Sequence, residues 1–130
     1  MKCWGRNDWG QLGDGTNTGS ETPVSVSGIS NAIDVAVSAY ASCAILAGGS
    51  VSCWGYGGHG ELANGSGNSS NVPVAVPTLT SGVTTISGDD QTYCVTMASG
   101  GAKCWGLNSH GQLGIGTSTG PSTCGGISAC

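Results

Sequence analysis

Phenylalanine is absent from this 130-residue chain, and only Lys2, Arg6 and Lys103 are basic. Without clustered Lys or Arg, and with a net charge of -4, there is no electrostatic footprint for phosphates, which argues against a nucleic-acid partner. No run approaches the roughly 18 apolar residues of a membrane span, so membrane insertion is not expected. Charged residues total 8% and hydrophobic ones 38%. That is too little repulsion and too much apolar surface for a disordered chain. The 25 glycines are not spaced in threes, which excludes collagen. The opening "MKCWG" runs straight into the first repeat, so no export signal is expected within this chain.

What is present is a repeat. "CWGRNDWGQLGDGT" from Cys3 returns as "CWGLNSHGQLGIGT" from Cys104, identical at 10 of 14 positions, with a blurred copy, "CWGYGGHGELANGS", from Cys53. The three starts lie 50 and then 51 residues apart, a period that indicates a solenoid, propeller or array. Pro23-Val24-Ser25-Val26 recurs in phase as Pro73-Val74-Ala75-Val76, and Cys43 as Cys94. One repeat domain over 1–130 follows, with units 3–52, 53–103 and a partial 104–130.

Strand-like alternation is plain at "VSVSGI", "CAILAGGSVSCW" and "CVTMASGGAKCW", and Gly and Ser interrupt any helical stripe. The last two segments read as hairpins. With Cys43 opposite Cys53, the loop is Ala47-Gly48-Gly49; with Cys94 opposite Cys104, it is Ala98-Ser99-Gly100. Three-residue hairpin loops need a left-handed third residue, and Gly49 and Gly100 supply it. About 50 residues and four short strands make one propeller blade. The expected fold is all-β: four-stranded antiparallel blades in an incomplete arc of about two and a half.

The pattern "CWGxNxxGQLGxGT", a "PVxV" strand and "xxCxxxxxGxxxCWG" resembles the repeat of the regulator of chromosome condensation family, in its bacterial and extracellular cysteine-containing version. The resemblance covers nearly the whole chain and implies blades of a seven-bladed propeller. Where that family often has His two residues before the first hairpin cysteine, this chain has Ala41 and Thr92. Cys124 stands where Pro23 and Pro73 stand in the other copies. The motifs match the scaffold only, so neither nucleotide exchange nor chromatin binding carries over.

Cys43–Cys53 and Cys94–Cys104 are predicted disulfides, because their spacing repeats and matches the turns. Buried free thiols are the alternative; zinc is a weaker one, without Cys-x-x-Cys or a Cys/His cluster. Paired cysteines imply an oxidising compartment, extracellular or periplasmic. Cys3, Cys124 and Cys130 are off-pattern, and Cys3 is expected to bond Cys124 or Cys130, within or between chains.

Trp4, Trp54 and Trp105 recur in phase, which favours packing between blades over a sugar platform. The position of Trp9 varies to His59 and His110, so the loops Asn7–Trp9, Gly57–His59 and Asn108–His110 are candidate partner contacts, with Asn7, Asp8, Trp9, His59, Asn108 and His110 named. No acid stands beside both histidines, so metal or general-base roles are not assigned. Asp89-Asp90 reads as a solvated turn rather than a calcium site. Asn64-Gly-Ser and Asn68-Ser-Ser are glycosylation sequons of the kind that also arise by chance. No catalytic residues, metal or cofactor are predicted. Two broken ends should expose strand backbone and apolar faces. The expected function is therefore a non-enzymatic extracellular structural or protein-interaction module that self-assembles into a ring or filament. The alternative is a glycan-binding propeller fragment.

Overall fold

The computed structural model describes residues 1–118 and the strand Ser128–Ala129. All regular structure in the described residues is β. Strands β1 (Lys2–Gly5) and β2 (Ser20–Ser25) form a two-stranded sheet. Strands β3 (Ala32–Val37), β4 (Ala41–Leu46), β5 (Val51–Gly55) and β6 (Ser70–Ala75) form a four-stranded sheet in chain order. Strands β7 (Val83–Asp89), β8 (Thr92–Met97), β9 (Ala102–Gly106) and β10 (Ser128–Ala129) form a third. All pairings are antiparallel. These are the expected propeller-type blades, standing side by side as open sheets.

The Cys-Trp-Gly landmarks fall on β1, β5 and β9, the third strand of a blade rather than its first. A sequence period can be counted from any landmark, whereas a sheet ends where its ladder ends, between β2 and β3 and between β6 and β7. The second sheet's blade is therefore 32–75, offset by about half a unit from the sequence repeat.

Both hairpins have the expected register. Cys43 faces Cys53 and Cys94 faces Cys104, and each pair is joined by a disulfide. Leu46 N–H donates to Ser50 O at 2.8 Å, and Met97 N–H to Gly101 O at 3.1 Å. Gly49 and Gly100 take φ of +78° and +87°, as the loops require. Cys3 is half-buried and, among the described residues, the one cysteine outside a disulfide. Its expected partners Cys124 and Cys130 lie outside the described residues.

The glycine of Cys-Trp-Gly has its own cause. The β5–β6 register slips between Cys53 and Gly55. Gly55 adopts φ +105°, and a Cβ there would stand 2.5 Å from Tyr40 O. Only glycine tolerates both the left-handed backbone and the close approach.

Strand β4 explains the missing large side chains. It is covered on both faces, so its ASCAIL sequence is small and almost wholly buried. Cys43 and Ile45 join Val51, Leu62, Val76, Leu79, Ile86, Tyr93, Val95 and Trp105 in the core shared with the third blade. Ala44 faces the other way and packs with Trp54, Val26 and Ile29. The second blade is thus a thin partition between two cores.

The two disulfides span short loops, the first inside that partition. Replacing Cys43 and Cys53 together by Ala should lower stability by about 2–3 kcal/mol, measured by urea unfolding without reductant. Peptide mapping of the unreduced protein should recover the 43–53 and 94–104 links.

Candidate functional site

The turn after each Cys-Trp-Gly is built by two side chains. Asn7 is fully buried. Its Nδ2 donates to Thr16 O at 3.0 Å and Thr18 O at 3.1 Å, and its Oδ1 accepts from Leu12 N–H at 2.9 Å. Asn108 repeats this, donating to Thr117 O at 3.0 Å and accepting from Leu113 N–H at 2.9 Å. Expected to meet a partner, both asparagines are instead spent inside the turn, because a buried loop backbone needs internal partners. In the blurred copy Gly57 replaces the asparagine, and its amide donates to Ser69 Oγ at 3.3 Å.

The second builder is the Gln or Glu four residues on. Gln11 Oε1 accepts from Trp9 N–H at 2.9 Å, Glu61 Oε2 from His59 N–H at 2.9 Å, and Gln112 Oε1 from His110 N–H at 2.8 Å. This clamp holds residues 9, 59 and 110 at the turn's outer corner. Trp9 is accordingly 42% exposed, and His59 and His110 are exposed.

Trp9 and His59 come together around a residue that sequence reasoning passed over. The Tyr56 ring lies 4.8 Å from Trp9 and 5.7 Å from His59, both edge-on, with Tyr40 at 6.3 Å. The Arg6 guanidinium sits over Tyr40, 5.6 Å from its centroid, and is ion-paired with exposed Asp8. Arg6, Trp9, Tyr40, Tyr56 and His59 line an open cleft of about 450 Å³, with Gln91 from the β7–β8 turn of the third sheet at its edge. His110 occupies the corresponding turn of the third sheet and hydrogen-bonds Ser109 Oγ at 3.0 Å; neither it nor Asn108 lines this cleft. Arg6 and Tyr56 hold equivalent positions in their repeats, with Leu107 the third. Tyr40 likewise corresponds to Gln91. Variation within a constant frame, the signal that singled out Trp9, was available at these positions too.

The three repeat tryptophans divide. Trp54 is buried and its Nε1 donates to Gln11 O at 2.8 Å; Trp105 is buried and donates to Glu61 O at 2.8 Å. Trp4, expected to pack between blades, is 64% exposed, because no sheet of the described residues stands on the side it faces. It borders an apolar groove of about 470 Å³ lined by Met1, Cys3, Trp4, Leu12, Val35 and Val37 among others. Strand β1 pairs only with β2 among the described residues, so its other edge is open.

Two overlapping matches to the regulator of chromosome condensation (RCC1) repeat model cover residues 3–45 and 32–61. Residues 3–61 are thus similar to RCC1 repeats. No curated protein matches it. Human WBSCR16 superposes with a TM-score of 0.75 at 21% identity, over 89% of this chain and 31% of that one. Prp20p from Saccharomyces cerevisiae gives 0.76 at 15%, over 89% and 31%. Yeast RCC1 (Prp20) bound to Kap60 gives 0.70 at 19%, over 86% and 29%. The chain thus spans about a third of the length of these RCC1-type structures and shares their fold.

Among the described residues no three His, Cys, Asp or Glu side chains gather to hold a metal. The one buried acid is Glu61, whose repeat equivalents are Gln11 and Gln112. Its Oε1 has no partner among the described residues, nor has the Tyr93 hydroxyl. Burial raises the Glu61 pKa above the ordinary carboxylate value, against the lowering effect of its backbone hydrogen bonds and of His59. A raised folded pKa means the fold prefers the neutral acid. The Glu61 contribution to stability is complete below the ordinary carboxylate range and is lost as pH rises through the raised value. Glu61→Gln should therefore flatten the fall in stability between mildly acidic and neutral pH. It should also raise stability at neutral pH by about 1 kcal/mol, both read from urea unfolding of the two proteins across pH.

Proposed function

We propose that this chain is a non-enzymatic protein-interaction module of an extracellular or periplasmic space, and that its first partner is itself. The observation that carries this reading is a β1 edge unpaired among the described residues, beside exposed Trp4, Ile33, Val35 and Val37. Grouped apolar side chains next to free strand backbone mark an association site. The two disulfides support an oxidising compartment. The solved RCC1-type relatives are described as binding proteins: Prp20p with Gsp1p and histones, and yeast RCC1 with Kap60. That supports a protein partner here, while the acidic balance of this chain disfavours a histone-like or nucleic-acid one. Light scattering without reductant should show mass rising with protein concentration through the micromolar range; a constant monomer mass sinks the reading.

A second reading rests on the cleft. Trp9, Tyr56 and Tyr40 offer aromatic faces and edges, with Arg6 and Gln91 beside them as polar donors, a combination suited to the apolar face and hydroxyls of a sugar ring. Tryptophan fluorescence during titration with neutral sugars should change in the parent protein and not in Trp9→Ala. No response to any sugar removes the glycan alternative.

A further inference from the structure

The cleft lined by Trp9 is assembled at positions where the three copies differ, and its parts are fitted to one another. Tyr56 lies across Gly58, where a Cβ would collide with the Tyr56 hydroxyl and Cζ. The sibling positions of that glycine hold Asp8 and Ser109, both of which carry a side chain. Glycine at 58 is therefore what lets an aromatic ring turn in between Trp9 and His59.

The chain's one arginine, Arg6, lines the same cleft, and two contacts fix its guanidinium. Its Cζ sits over the Tyr40 ring, 5.6 Å from the centroid, and its Nε donates to Asp8 Oδ2. The Asp8 backbone is held in turn, since its carbonyl accepts from Asn17 Nδ2 at 3.2 Å. A carboxylate drawn to Nε leaves the Nη1–Nη2 end of the fork, which can grip a second carboxylate by two parallel hydrogen bonds. Arg6 and Asp8 are 59% and 61% exposed, so that end is within reach of a ligand lying in the cleft. A guanidinium oriented in advance loses less freedom when it binds.

Charge limits what the site accepts. The protein carries a net charge of -4, and Asp8 stands beside the fork, so a polyanion is repelled. One carboxylate in contact with Arg6 gains two charge-assisted hydrogen bonds, while the more distant acids are screened by salt. The rings beside the arginine call for an apolar face on the same ligand. A hexuronic acid has both: its equatorial carboxylate leaves the pyranose sideways, towards a group standing beside the aromatic surface.

We propose that the cleft binds a hexuronic acid unit of an otherwise neutral glycan. The apolar face of the sugar lies on Trp9 and Tyr56, its carboxylate is held by the Arg6 fork, and His59 and Gln91 stand beside its hydroxyls. This rests on the glycan reading of the cleft above and gives it a ligand class.

Methyl β-glucuronide and methyl β-glucoside differ only at C6, carboxylate against hydroxymethyl, and are the matched probes. Tryptophan fluorescence titration of the full chain should show the glucuronide bound about fivefold more tightly at low salt, with the preference shrinking as salt is added. Arg6→Gln should bring the two sugars to equal affinity. Asp8→Asn, which keeps an acceptor for Nε and removes the neighbouring charge, should widen the preference. Gly58→Ser, the residue of the third copy, should weaken both sugars by displacing Tyr56. All three positions are exposed, and circular dichroism checks that each variant keeps the parent fold. Equal affinity of the parent for the two sugars, or a preference that survives Arg6→Gln, overturns the proposal and leaves the glycan reading standing. No response to either sugar overturns both. Binding of an acidic, proline-containing peptide without a response to either sugar also overturns both and assigns the cleft to a protein partner.

Discussion

The indole-to-carbonyl contact between neighbouring sheets is what the rest of the molecule is arranged around. A β-sheet with small side chains has little surface to offer its neighbour, so one large ring per blade carries much of the packing. Burying that ring brings an N–H out of water, and the N–H must then find an acceptor. The acceptor is a backbone carbonyl in the preceding turn, which can be offered only if the turn is rigid. Asn7 and Asn108 provide that rigidity from inside, and Gln11, Glu61 and Gln112 clamp the outer corner. The "NDWGQL" and "GGHGEL" turns are the receptors for Trp54 and Trp105.

That dependence organises the surface as well. Because asparagine and glutamine are committed to the turn, residues 6, 9, 40, 56 and 59 are free to vary, and they face the cleft. Recognition chemistry therefore gathers on the rim, while the frame beneath it repeats. The disulfides play a separate part. They tie β4 to β5 and β8 to β9 within the sheets, and Cys43 and Cys53 also pack in the core shared with the third sheet.

Glu61 shows what happens when a copy departs from the frame. It keeps the clamp, since Oε2 still accepts from His59 N–H, but its charge lies in a buried place where the siblings are neutral amides. The same blurred copy has lost its asparagine to Gly57 and taken a hydroxyl, Ser69, as a substitute. The middle turn borders the aromatic cleft together with the first.

The chain by itself determined the blades, the hairpin registers and the cysteine pairs, because each follows from local spacing: a period near 50, a ten-residue cysteine interval and a glycine at the third loop position. It also marked Trp9 and His59 as outward, since variation inside a constant motif needs no coordinates to be seen. It could not assign Asn7 and Asn108 to the interior, because an amide in a turn looks the same whether it faces water or the turn's own backbone. Nor could it separate Trp4 from Trp54 and Trp105, which are identical in their sequence setting. Only the tertiary arrangement decided that two of these rings are received and one is not, because burial depends on whether a neighbouring sheet is present, and no single strand records that.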